Sequence, residues 1–140
     1  MEQSSQVSER YNLIFLELLL TERTYEENLR DLVESLSKIQ AQRPRDDILR
    51  RALALLKQIH ALAERNVREL EAEDATFARA LRHFVAECWS PYQDFICMYH
   101  DIASHSLLAS NVIQNHKGLT LPALLIMPVS RLPRYKLLLE

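Results

Sequence analysis

Three side chains able to do chemistry, Cys97, Asp101 and His105, follow one another at intervals of four residues. On a helix that spacing brings a thiol, a carboxylate and an imidazole toward one face. A metal centre would need a fourth ligand and normally a second helix to supply it. The same trio also reads as a half-buried thiol beside solvated polar groups. His60, His83, His100 and His116 are scattered, without the spacing of a zinc-protease helix. The adjacent carboxylates Glu26-Glu27 and Asp46-Asp47 splay apart on a helix. The 140 residues include one glycine, Gly118. No phosphate-binding loop, dinucleotide fingerprint or nucleophile elbow can be assembled around it. Covalent catalysis, a bound metal and a cofactor are therefore not expected.

What remains is binding chemistry. Glu17 lies about 60° from the centre of an apolar stripe, at 100° per residue. Thr24, Asn28 and Asp31 continue down the same side. Periodicity alone leaves two readings open: a solvated boundary, or a docking face with one carboxylate at its centre.

The elements that would carry this strip are all helical. Apolar residues make up 48% and charged residues 26% of the chain, and the formal net charge is −2. These are values of a globular domain with no large basic surface for nucleic acid or anionic lipid. Scarce glycine argues against strands and hairpins. Arg43, Arg45, Arg50 and Arg51 cluster, and read as a solvated helix start. Cys88 and Cys97, nine apart on a helix, point to different faces, so two unpaired thiols in a reducing compartment are expected. No secretory signal opens the chain, and "LIFLELLL" falls well short of the ~20 residues of a membrane span. A cytoplasmic protein is expected.

Val7, Tyr11, Ile14, Leu18, Tyr25, Leu29, Leu32, Leu36 and Ile39 step by threes and fours, with Thr21 filling the one gap. The pattern predicts one long amphipathic helix, capped by Ser4, Ser5 or Ser8 and ended at Arg43-Pro44. A second helix is expected from about Asp47 to Leu70, with Asp46 or Asp47 as cap. A third begins near Asp74 with Phe77, Leu81, Phe84 and Cys88. "SPYQ" suggests a new or kinked helix from Pro91, with Phe95, Tyr99 and Ile102 inward and an end between Ser104 and Asn111. "NHKG" carries helix C-terminal signals. In "LLIMPVSRLPRYKLLLE" two prolines interrupt good helix formers. A short helix capped by Thr120 and stopped by Pro128, then another capped by Ser130, accounts for both. The architecture is an elongated all-α bundle forming one domain over residues 1–140.

Two stretches then become recognisable. "ELLLTERTYEENL", Glu17 to Leu29, resembles the first sequence block of Dbl homology domains, and "LLIMPVSRLPRYKLLL" resembles the third. "YQDFICMYHDIASHSLL" is similar to the weaker middle block. The resemblance spans the whole chain and implies a guanine-nucleotide exchange factor for a Rho-type GTPase, acting without covalent chemistry. It implies that the first- and third-block helices form the GTPase-binding face, with Glu17 contacting the first switch region. Thr21, Thr24, Asn28, Met127, Ser130, Arg131 and Arg134 are the other expected contacts. Met127 stands where the family often has lysine, and Ser130 where it usually has glutamine. Arg131, Arg134 and Tyr135 match the family, mostly as braces of the helix junction. The family's domain continues past "RYKLLL", so the last long helix is expected to be incomplete and the following pleckstrin-homology domain absent, with any membrane contact left to absent flanking domains. A non-exchanging scaffold or oligomerisation module of the same fold is the alternative. Phe15, Leu16, Leu19 and Leu20 widen the apolar stripe, and a second copy of the chain covering them as a homodimer is a further expectation.

Overall fold

The structure, a computed structural model, describes residues 2–72, 77–111 and 113–139. Five helices follow one another in the described residues: α1 (Glu2–Gln42), α2 (Asp47–Glu71), α3 (Phe77–Ser104), α4 (Leu121–Leu125) and α5 (Met127–Leu139). The 41-residue α1 is a rod of roughly 60 Å. The first three helices run up, down and up. Polar pairs mark the antiparallel register: Arg23 with Glu71 and Glu26 with His60 across α1 and α2, and Asp46 with His105 between the start of α2 and the end of α3. α4 lies against α1, and α5 packs on both α3 and α1. No helix in the described residues is long and apolar enough to cross a membrane.

The core is the seam of these rods. Leu18, Leu29, Leu32 and Leu36 of α1 meet Leu49, Leu53, Leu56, Ile59 and Leu70 of α2, and Tyr92, Phe95 and Ile102 close it from α3. Each such side chain contributes about 1.5–3 kcal/mol by leaving water. From Ile14 to Ile39 the expected stripe faces inward with one exchange. Glu22, not Thr21, occupies the gap between Leu18 and Tyr25: Glu22 is fully buried and Thr21 half-buried. Tyr99 is half-buried.

Several boundaries differ from expectation. α1 is already helical at Glu2, so Ser4, Ser5 and Ser8 lie inside it and do not cap it. α3 passes through Pro91 as one helix, without a new start at Ser90. The side chains of Val7, Tyr11, Phe77, Leu81, Phe84, Cys88 and Arg134, and the residue Asp74, lie outside the described part. Asp46 caps α2 as expected: its carboxylate accepts the Leu49 N–H at 3.1 Å. The nearby arginines are solvated, Arg50 pairing with Asp47 and Arg51 approaching it at 3.8 Å.

"NHKG" does not end a helix. It is a tight turn that closes an antiparallel bridge between Gln114 and Thr120. Asn115 Oδ1 accepts the N–H groups of Lys117 and Leu119, and Gly118 sits at φ +80°, where other residues are strained. Thr120 caps α4 through the Ala123 N–H, as expected. The chain then turns at Ile126, two residues ahead of Pro128. Pro128 lies in the first turn of α5, where a missing N–H costs nothing. Ser130 is therefore inside α5 and not its cap; its N–H donates to the Ile126 carbonyl at 3.0 Å.

Candidate functional site

The helix break places the start of α5 beside the middle of α1. Thr21, Thr24, Tyr25 and Asn28 form one wall of a shallow open groove, and Ile126, Met127, Ser130 and Arg131 form the other. Its volume is about 320 Å³ and its lining is largely apolar. Six of the expected contact residues thus meet across about a hundred positions of sequence. Glu17 does not line the groove; it stands exposed one turn further along α1. Thr21 connects the two, its hydroxyl donating to the Glu17 backbone carbonyl at 2.8 Å and accepting from Arg131 Nη2 at 3.0 Å. Leu16, Leu20 and Ile126 are exposed around this region, Leu16 and Leu20 by about half. Phe15 and Leu19 instead pack against the core.

The other end of the polar strip is occupied by the protein itself. The Asn115–Gly118 turn lies on α1 here. Asn115 Nδ2 donates to Asp31 at 3.4 Å, and His116 approaches the same carboxylate. Lys117 Nζ reaches Glu27 at 3.4 Å and Asn28 Oδ1 at 3.5 Å. Asn28 is consequently buried, so the open part of the strip runs from Glu17 to Thr24.

Beneath the groove lies a polar network that periodicity did not indicate. The fully buried Glu22 carboxylate accepts from the Tyr135 hydroxyl, at 2.7 Å on Oε2, and from Asn66 Nδ2 at 2.8 Å. Arg131 Nη2 stands 3.4 Å from the same oxygen. Burial pushes the Glu22 carboxyl above its ordinary range, while the Arg131 charge and the Tyr135 and Asn66 donors draw it back. The Arg131 guanidinium lies over the rings of Tyr135 (4.7 Å) and Tyr25 (5.5 Å). Tyr25 and Tyr92 hydroxyls bond each other at 2.6 Å. Burial holds all three phenols far above their usual range, so they remain protonated donors. Arg131 Nε is buried without a hydrogen-bond partner among the described residues. Arg131 is therefore both a groove wall and the cation that compensates Glu22.

One signal could have exposed this network. A glutamate at position 22 sits three and four residues from Tyr25 and Leu18, inside the apolar seam. A buried carboxylate there demands donors, and the arginine and tyrosine of the C-terminal block are the donors available. The Cys97, Asp101 and His105 trio is not assembled as a ligand set. His105 Nδ1 accepts the Leu107 and Leu108 N–H groups, which leaves Nε2 to donate to Asp46 at 2.7 Å.

The groove offers hydroxyls, an amide and methyl-rich walls with a carboxylate near its rim. That is equipment for holding another macromolecule. A family model described as the RhoGEF domain matches residues 14–140, and no curated protein and no solved structure matches. The chain belongs to the RhoGEF domain family, whose general role is guanine-nucleotide exchange on Rho-type small GTPases.

Proposed function

We propose that the face running from Glu17 through the groove receives the switch regions of a Rho-type GTPase and stabilises its nucleotide-free form, promoting GDP release. The observation that supports this reading is the groove, where Thr21, Thr24 and Asn28 of the first sequence block face Met127, Ser130 and Arg131 of the third. Glu17 supplies the acceptor for the first switch, and the apolar rim of Leu16, Leu20 and Ile126 presses on the second. No bond is made. By linkage, whatever factor favours the nucleotide-free GTPase weakens nucleotide binding equally. A 10⁴-fold shift needs about 5.5 kcal/mol of differential binding. One charge-assisted hydrogen bond gives roughly 1.5–3 kcal/mol, so Glu17 must act with the rest of the face. Arg134 belongs to the same proposed set through its place in the third block, and the cytoplasm is the compartment where such a module would act.

Fluorescent-GDP release from a panel of Rho-type GTPases tests this, together with binding of the nucleotide-free forms. Glu17→Ala should remove most exchange with little change in melting temperature. Undiminished exchange in that variant would refute the assignment. A second reading, a homodimer or a scaffold without exchange activity, is favoured by the exposed row Leu13, Leu16 and Leu20 on the same helix. Sedimentation over a concentration range separates the two, since a dimer through this row would compete with GTPase docking.

A further inference from the structure

On the side of α1 that meets α2, away from the groove, three side chains with ligand atoms converge. Glu26 comes from α1, and His60 and Glu64 lie one turn apart on α2. Their ligand atoms all lie within 4.8 Å of one another. We propose that this cluster binds a divalent first-row transition ion, for which zinc is the probe.

The two imidazole nitrogens each face a carboxylate. Nε2 stands 3.1 Å from Glu26 Oε1, and Nδ1 stands 3.4 Å from Glu64 Oε1. A neutral imidazole has one N–H, so it can donate to only one of them. The other nitrogen then directs a lone pair at an anionic oxygen. Arg30 holds both oxygens of Glu26, at 2.6 and 2.7 Å, but makes no such bond to Glu64 or the ring. A second ring proton, or a cation between the ring and the carboxylates, resolves the conflict; a metal ion does so by taking one nitrogen and one oxygen from each acid, and zinc binding distinguishes the two.

The donor set selects the ion. One imidazole and two carboxylates suit zinc and its neighbours, whereas magnesium and calcium favour shells of oxygen alone. Tetrahedral bonds of ~2.1 Å place ligand atoms about 3.4 Å apart. The Glu26–His60 pair is already close to that spacing. Closing the site is left to Glu64, whose side chain is about half exposed (47%) and can rotate. Its exposure also leaves a coordination position for water. Arg30 fixes the orientation of Glu26, as an outer partner of a metal-binding carboxylate does.

Calorimetry and thermal melts of the whole chain with zinc or magnesium test the proposal. Zinc should bind one-to-one and raise the melting temperature by several degrees, and magnesium should do neither. Glu64→Gln should weaken zinc binding at least about tenfold while leaving the metal-free melt unchanged. His60→Ala should abolish binding, and Cys97→Ser should bind zinc as the unaltered chain does. Three results would overturn the site: no zinc binding, undiminished binding in Glu64→Gln and His60→Ala, or loss of binding in Cys97→Ser.

Discussion

Glu17 and Glu22 stand five residues apart on one helix and lead opposite lives. Glu17 faces water beside the groove. Glu22 is fully enclosed and accepts hydrogen bonds from Tyr135 and Asn66 with Arg131 close by. The same functional group is thus exposed in one place and a fastener in the other, and only its angle around the helix axis decides which. The general lesson concerns how a rod divides its labour. The side of α1 facing α2 and α5 holds carboxylates whose partners are internal. The side with Glu17 and Thr24 turns its side chains to the surface.

That contrast can be broken most forcefully at Glu22. Glu22→Ala leaves the Arg131 cation buried without its anion, and removing one member of a buried pair costs about 3–5 kcal/mol. Urea denaturation should register this, whereas Glu17→Ala should stay within about 1 kcal/mol. Equal costs in the two variants would abolish the distinction. Tyr135→Phe is the next largest effect. It removes a donor to a buried carboxylate, for an expected loss of roughly 1.5–3 kcal/mol.

Smaller effects sharpen the comparison through pH. Glu26 and Asp46 are held below their ordinary values of 4.5 and 3.8. For Asp46, burial is outweighed by the Leu49 N–H and by His105. In the folded state both carboxyls release their protons earlier than in the unfolded chain. The stability they contribute is present above those ordinary values and is lost as pH falls through the lower folded values. Glu22 has the opposite sign: raised by burial, it favours the protonated folded state, and its contribution declines as pH rises above 4.5. Glu26→Gln should therefore flatten the acid limb of a stability-against-pH curve, and Glu22→Gln should steepen the rise above pH 4.5. Loss of the Asp46 cap in Asp46→Ala should cost about 1 kcal/mol at neutral pH. The smallest change in stability is expected on the groove side. Met127→Lys, at a half-buried groove position, should shift the melt little and raise exchange or leave it unaltered. A large loss of stability there would place Met127 with the core and not with the face.

Much of this was legible from spacing. The α1 seam, the Asp46 and Thr120 caps and the end of α1 before Pro44 follow from local rules, and the structure agrees with each. The resemblance of two blocks also names six residues that the structure brings together in the groove. The errors have a common origin. Periodicity places Thr21 rather than Glu22 inside because it expects the less polar residue there, whereas donors from α2 and α5, distant in sequence, make the glutamate tolerable. At Pro91 the sequence allows a new or a kinked helix, and packing of Tyr92, Phe95 and Ile102 on the core carries α3 through it as one helix. Likewise Ser130 looked like a cap because local sequence cannot reveal that the chain has already turned at Ile126. Asn28 and Asp31 looked open because nothing near them in sequence announces that the Asn115–Gly118 turn will settle on them.

The guanidinium of Arg131, clasped between two aromatic rings and tied to a buried carboxylate, has a mechanical consequence. Bodies pressed together share distortion in inverse proportion to their stiffness, and close-packed interiors yield little. One wall of the groove is a continuous rod and the other is bolted to it from beneath. A jaw built in this way hardly bends when loaded. Under the proposed docking, strain passes to the softer surface, and a mobile loop pressed into the groove does nearly all of the moving.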